Sequence, residues 1–394
     1  MDEGDCGVLV LLDLSAAFDT VVHELLLEDL HAVGVTGDAL RYLRNYLEDR
    51  KYCVQVGNVL SETRPLRRGV LQGSVLGPVL FCIYTTELSY LLQNHDVDFT
   101  LYADDTQFYM SINNVQDTES KLSRIMFDVK KWMDGKQLKF NDDKTECLIV
   151  GKKCDIRRLN DIQGFNFNGR NVVISDKVKN LGVVMDKYLN FNDHINDVTR
   201  IARYHLRNIA FIRKYLDENS VKMLIHNYVI SRIDYCNSLY LNLLNYQLKK
   251  LQVIMNKAAR LIKRVPLYER ITPTLIELHW LPIKARIVLK ICVLTYQAVK
   301  TGKPQYLSDL LEKFENNANV VVRHTHDVNR LFEPRCNSGI GARTCQYSAP
   351  RLYNALPNDL KCSENVVVFK KRLKTFIFRE CYDVEMCITE RYAL

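Results

Sequence analysis

Tyr102-Ala103-Asp104-Asp105 sets two adjacent carboxylates inside an otherwise apolar, β-prone run. Phe99-Thr100-Leu101 lead into it, and Thr106-Gln107-Phe108-Tyr109-Met110 follow. Strand formers on both sides of a short Ala-Asp-Asp centre predict a β-hairpin with acids at its tip. Two like charges at one tight turn repel each other. A cation held by both removes that cost, so the pair points toward metal binding. Asp is also common in solvated turns, and the dipeptide alone leaves both readings open. A further carboxylate, Asp13, ends the continuous apolar run Gly7-Val8-Leu9-Val10-Leu11-Leu12, which reads as a strand buried on both faces. A carboxylate at the mouth of such a strand is costly unless it is paired or ligating. If this strand neighbours the hairpin in one sheet, three carboxylates converge. Such a cluster suits two Mg²⁺ ions about 3.5–4 Å apart, the arrangement used for in-line phosphoryl displacement. Hard oxygen donors with no His or Cys nearby favour Mg²⁺ over zinc.

The elements that must position these acids follow from periodicity. Helical spacing runs from His23 to Val33 and again from Gly37 to Leu47, and Tyr52 to Val56 alternates as a strand before a Gly57-Asn58 turn. A glycine-punctuated loop, Arg67 to Pro78, leads into an apolar helix expected over Val79 to Leu92. Leu122, Ile125, Met126, Val129, Trp132 and Met133 stripe a helix over 118–134. The order of strand, helices, hairpin and helix implies an α+β layer with helices packed on an antiparallel sheet. From about 193 the pattern is almost wholly helical. Leu248, Leu251, Met255, Ala258, Ala259 and Ile262 mark one helix, which also carries Lys249, Lys250, Lys257, Arg260, Lys263 and Arg264 with no acid between Gln247 and Arg264. A solvated face and a phosphate-binding face both fit such a run, and its one-sidedness favours phosphate. Asn316 to Asn319 reads as a linker, and a basic amphipathic helix is expected around Phe369 to Phe378.

Charge is divided along the chain. Residues 1–150 carry 14 Lys+Arg against 24 Asp+Glu, whereas residues 193–315 carry 20 against 10. An acidic, metal-suited part is thus followed by a basic, polyanion-suited one. At 394 residues, two or three domains are expected. No apolar run is long enough to span a membrane, and the acidic start (Asp2, Glu3, Asp5) has the wrong sign for a signal peptide, so an intracellular protein, nuclear or cytoplasmic, is expected. The 12 cysteines form no Cys-x-x-Cys pair and are expected to be reduced thiols. His324, His326, Cys336 and Cys345 match no common zinc-finger spacing. Trp280 reads as a helix-packing anchor rather than a base-stacking platform.

Taken in order, these motifs resemble the reverse transcriptase of a non-LTR (LINE-type, Jockey/CR1-like) retrotransposon. Leu11-Leu12-Asp13-Leu14-Ser15-Ala16-Ala17-Phe18-Asp19-Thr20-Val21 is similar to the family's first catalytic motif, Arg68-Gly69 through Pro78 to its loop-helix motif, and Tyr102 to Asp105 to its metal-binding hairpin. Asn141-Asp142-Asp143-Lys144-Thr145-Glu146 resembles the next motif, Asn180-Leu181-Gly182-Val183 the hairpin that grips the primer end, and Ala349 to Pro357 a C-terminal phrase. The resemblance implies a polymerase palm over 1–150, its end with the primer-grip hairpin over 151–192, a basic helical thumb over 193–315 and a C-terminal segment over 316–394. It implies Asp13, Asp104 and Asp105 as ligands of two Mg²⁺ ions, Lys144 as general acid toward pyrophosphate, and Phe18, Gln72 and Gly73 as nucleotide contacts. Leu181 and Gly182 become the primer grip, and the six cations from Lys249 to Arg264 become contacts to the nucleic-acid backbone. The implied partners are an RNA template, a DNA primer and dNTPs. Val22 and Leu71 stand where the family more often has Asp and Pro. The chain begins a few residues before the Asp13 strand, so the family's fingers are expected to be largely absent, with no endonuclease domain. A second reading, an inactive relic that binds nucleic acid without extending it, therefore stays open beside the enzyme.

Overall fold

The computed structural model describes residues 6–112, 114–141, 144–157, 159, 164–167, 170–312, 330–336 and 339–382. Asp142, Asp143, the expected 316–319 linker, His324 and His326 lie outside them. The chain divides into two compact units, one reaching to Leu189 and the other beginning at Asn190.

The first unit is built on a four-stranded antiparallel sheet: β1 (Cys6–Leu12), β2 (Asp98–Tyr102), β3 (Asp105–Ile112) and β4 (Glu146–Val150), in the order β4-β1-β3-β2. The apolar run of β1 is explained by its central place. One face, with Val8, Val10 and Leu12 beside Phe108, Cys147 and Ile149, joins the main core. The other, with Leu9, Leu148 and Val150, packs on Val178 of a hairpin formed by β5 (Lys177–Asn180) and β6 (Val183–Asp186). A strand covered on both faces has no place for alternating polar residues.

The helices on the main face are α1 (Ala17–Thr20), α2 (His23–Ala32), α3 (Gly37–Leu47), α4 (Gly77–Tyr84), α5 (Thr86–Asn94) and α6 (Val115–Gly135). In α6, Asn114 caps the start by accepting from the Gln116 amide, and Leu122, Ile125, Met126, Val129 and Met133 are buried at three- and four-residue steps. The single helix expected over 79–92 is two helices. Thr85 Oγ1 donates to the Phe81 carbonyl, and Thr86 Oγ1 donates to that of Cys82. Consecutive threonines bonding back to the preceding turn disturb the helical ladder. The strand expected over 52–56 survives only as the pieces Lys51–Tyr52 and Gln55–Val56, all exposed. With no face to bury, its alternation has nothing to hold it.

One ion cluster ties three of these helices together. Lys136 Nζ lies 2.6 Å from Asp29 on α2 and 3.0 Å from Glu87 on α5, and Trp132 on α6 donates its indole N–H to Glu87. Burial pulls the Lys136 ammonium down, but its hydrogen bonds to both carboxylates outweigh that and hold it above the usual lysine range.

The second unit is all helical among the described residues. It contains α7 (Asn192–Ile212), α8 (Asn245–Lys263), α9 (Ile283–Thr301) and α10 (Val366–Tyr382), with shorter helices between. α8 buries Leu251, Met255, Ala258, Ala259 and Ile262, and Tyr296 of α9 stacks on Phe369 of α10 with ring centroids 4.0 Å apart. Trp280 is buried, with the Arg286 guanidinium over its ring and its carbonyl bonded by the Tyr382 hydroxyl. It is a packing anchor. No described helix is long and apolar enough to cross a membrane.

Removing the lysine would strand two carboxylates, one of them almost enclosed. Lys136→Ala is expected to destabilise the first unit by about 3 kcal/mol, read as a lower urea midpoint. A midpoint within experimental error of wild type would show the cluster to be energetically neutral.

Candidate active site

Register decides which acids meet. In the β1–β3 ladder Leu11 faces Gln107 and Leu12 faces Thr106, so the next residues along, Asp13 and Asp105, stand opposite one another. In the β1–β4 ladder Leu11 faces Glu146. Directly opposed residues share a face of the sheet, and side chains alternate along each strand. Asp13, Asp105, Gln107 and Glu146 therefore lie on one face, which the β5–β6 hairpin covers further along. At that hairpin's tip, Asn180 donates its side-chain amide to Gln107 Oε1.

The β2–β3 hairpin closes at the pair Tyr102–Asp105, leaving Ala103 and Asp104 as a two-residue turn. Ala103 has φ +53°, a left-handed conformation that L-residues other than Gly adopt only at a cost. At the tip of β5–β6, Leu181 and Gly182 have φ +43° and +83°, the primed turn geometry that matches strand twist.

Burial pushes the Asp105 carboxyl above the usual aspartate range, and the charges of Asp104 and Asp13 push it further. Asp105 itself is exposed, so water screens part of this repulsion. Asp13 is the better anchored of the acids. Its Oδ2 accepts from Asn141 Nδ2 at 3.1 Å and from Lys144 Nζ at 3.2 Å. A cavity of about 340 Å³ opens here, lined by Asp13, Asp105, Lys144, Glu146, Lys179 and Leu181 among others. Among the described residues no three His, Cys, Asp or Glu side chains close into a set able to hold a metal ion. The oxygen donors are hard, the kind Mg²⁺ takes, but here they are neighbours rather than a finished cage.

The loop after Arg68 docks on the chain just past Asp13. The Val70 amide donates to the Phe18 carbonyl and the Gly69 amide to that of Val21, each at 2.8 Å. Gly69 has φ +90°, and a Cβ there would lie 2.9 Å from Asp19 Cα, so only glycine fits. Gln72 Nε2 donates to Asp19 Oδ1 at 3.3 Å, and Gly73, with φ +80°, faces open space. Phe18 is half-buried and stacks on Phe81 at 4.6 Å. Phe18, Gln72 and Gly73 thus share one neighbourhood.

The six cations of α8 and its C-cap, Arg264, divide into two groups. Lys263 is taken by Glu218 and Glu277, and Arg260 donates to the carbonyls of Pro266 and Glu269. Lys250 donates to Asn196. Lys249, Lys257 and Arg264 are exposed. Acid-free sequence does not mean acid-free surroundings: Glu218 and Glu277 reach Lys263 from helices outside the acid-free run. Two residues of the site have no role implied by the sequence motifs, Asn141 and Glu146. Glu146 had a signal, since an ionisable residue opens an otherwise apolar strand just as Asp13 closes one.

Residues 2–185 match the reverse transcriptase (RNA-dependent DNA polymerase) family. The chain is 28% identical over 274 residues to a probable RNA-directed DNA polymerase from transposon BS of Drosophila melanogaster, covering 66% of this chain and 29% of that protein. It is 24% identical over 278 residues to the RNA-directed DNA polymerase from mobile element jockey of the same fly, covering 68% and 30%. The chain spans about three-tenths of the length of these relatives. A telomerase structure from Candida albicans shares a loose likeness, with TM-score 0.33 and 12% identity over 70% of this chain and 51% of that one.

The raised Asp105 carboxyl carries a sign. A carboxyl raised in the folded state stabilises the fold fully below the ordinary aspartate value, and that contribution is lost as pH rises through the raised folded-state value. Without divalent cations, Asp105→Asn is therefore expected to raise the melting temperature at pH 7 by about 1–4 °C, with the gain shrinking toward pH 4. Equal melting temperatures across that range would mean that the repulsion is fully screened.

Proposed function

We propose that this chain is the polymerase part of a LINE-type element, an RNA-directed DNA polymerase that joins dNTPs to a DNA primer along an RNA template. The observation that carries this reading is the register that sets Asp13 opposite Asp105 at the mouth of a cavity shared with Lys144. The first unit corresponds in this reading to the palm, with β5–β6 as its primer grip, and the second to the basic thumb and C-terminal segment.

Asp13, Asp104 and Asp105 would hold two Mg²⁺ ions, which when bound supply Lewis-acid stabilisation of the attacking and leaving oxygens. Phe18, braced by Phe81, would lie under the incoming sugar, and Gln72-Gly73 would position the nucleotide against the template. Gly73 suits this because open space above its backbone lets a ligand approach closely. Lys144 would leave Asp13 and give a proton to the departing pyrophosphate. Leu181 and Gly182 would hold the primer end. Lys249, Lys257 and Arg264 would meet backbone phosphates, with Lys250, Arg260 and Lys263 joining where their present partners release them. Such contacts make binding salt-sensitive.

Primer extension on poly(rA)/oligo(dT) tests the proposal. The chain is expected to extend the primer, Asp104→Asn to abolish extension, and Lys144→Ala to slow it by about 10²–10⁴-fold. Absence of extension by wild type, with salt-sensitive hybrid binding untouched by Asp104→Asn, would instead identify a binding relic.

A further inference from the structure

Glu146 is the carboxylate of this site without a role in the proposed reaction. It opens β4, and the rest of that strand, Cys147 to Val150, is buried. Its carboxylate is half-buried and lines the cavity beside Asp13 and Asp105. Among the described residues it forms neither a hydrogen bond nor an ion pair, although Lys144 and Lys179 line the same cavity. Lys144 is engaged by Asp13 instead. A half-buried carboxylate without a partner is costly, and a purely structural role would call for an apolar residue at this position.

Its place in the sheet says what could reward it. Glu146 faces Leu11, two residues before Asp13, and so lies about 7 Å back along the strand. It also stands on the opposite side of β1 from Asp105. From there a carboxylate reaches the water shell of a cation at Asp13 and Asp105 rather than the ion itself. Mg²⁺ keeps several of its waters when bound by protein, and carboxylates that accept from those waters orient the shell.

We propose that Glu146 is a positioning residue of the metal site, accepting hydrogen bonds from water on the cation held by Asp13 and Asp105. The inference rests on the polymerase reading of those two acids. Glu146 sets how tightly the site takes a divalent cation, and Lys144, released from Asp13 as the cation enters, gains it as a counter-charge across the cavity.

The test is direct cation binding by the full chain without nucleotide, read from the free Mn²⁺ signal in electron paramagnetic resonance. Glu146→Gln is expected to weaken Mn²⁺ binding by about 10–100-fold, and Glu146→Asp to restore part of it. In primer extension, Glu146→Gln should move the Mg²⁺ midpoint upward by a similar factor while saturating Mg²⁺ recovers the rate. Binding and midpoint equal to wild type in Glu146→Gln, with Asp105→Asn losing the cation, would overturn the role of Glu146 alone. Wild-type binding in Asp105→Asn would overturn the metal reading beneath it.

Discussion

Everything at this site depends on the antiparallel pairing of β1 with its two neighbours. β1 enters the sheet as a strand buried on both faces, and it ends where burial ends, at Asp13. Because both flanking strands run the other way, their first residues arrive at that same edge. The chain thus delivers Asp105 and Glu146, some forty residues apart, to the mouth of one strand. A slip of one residue in either ladder would turn the arriving acid to the opposite face, into the core of Val10, Leu12 and Phe108. The hydrophobic alternation of β3 and the continuous burial of β1 hold the register, so the packing of the core also places the acids.

The electrostatics follow from that placement. Asp13, Asp104 and Asp105 repel one another at a partly exposed edge of the sheet, with Asp105 itself open to water. Asn141 and Lys144 offset this only at Asp13. Lys144 is a resident counter-ion at Asp13, and in the proposed reading cation entry and lysine release would be linked through a single oxygen, Asp13 Oδ2. Away from the edge, the Lys136 cluster and the Phe18–Phe81 stack hold the helices and the Gly69 loop against the sheet. Ala103 and Leu181 take left-handed conformations at the two hairpin turns beside the site, and Gly69 takes one where its loop meets Asp19.

Much of this was legible in the sequence. The β1 run, the Asp13 terminus, the hairpin around Asp104-Asp105 and the stripe of α6 are strong periodic signals, and each forms near its expected bounds. The less legible features depend on partners distant in sequence. The break at Thr85 comes from side-chain bonds to the preceding turn, which periodicity does not register. The 52–56 strand alternates as expected but meets no core. The one-sided charge of α8 reads as a free basic face, yet Glu218 and Glu277 come from other helices to occupy Lys263. Glu146 carries a sequence signal, an ionisable residue opening an apolar strand, but its place near Asp13 comes only from the ladder that sets it opposite Leu11.

The central claim is that a divalent cation is held where β1, β3 and the hairpin turn meet. Replacing Mg²⁺ with Fe²⁺ and adding ascorbate and peroxide generates hydroxyl radicals at the bound ion, and the sites of backbone cleavage can be read by mass spectrometry. The account predicts cuts clustered around Asp13, Asp104-Asp105 and Glu146, suppressed by excess Mg²⁺. Cuts confined to other acidic surfaces, or cuts at these residues that Mg²⁺ leaves unchanged, would contradict it.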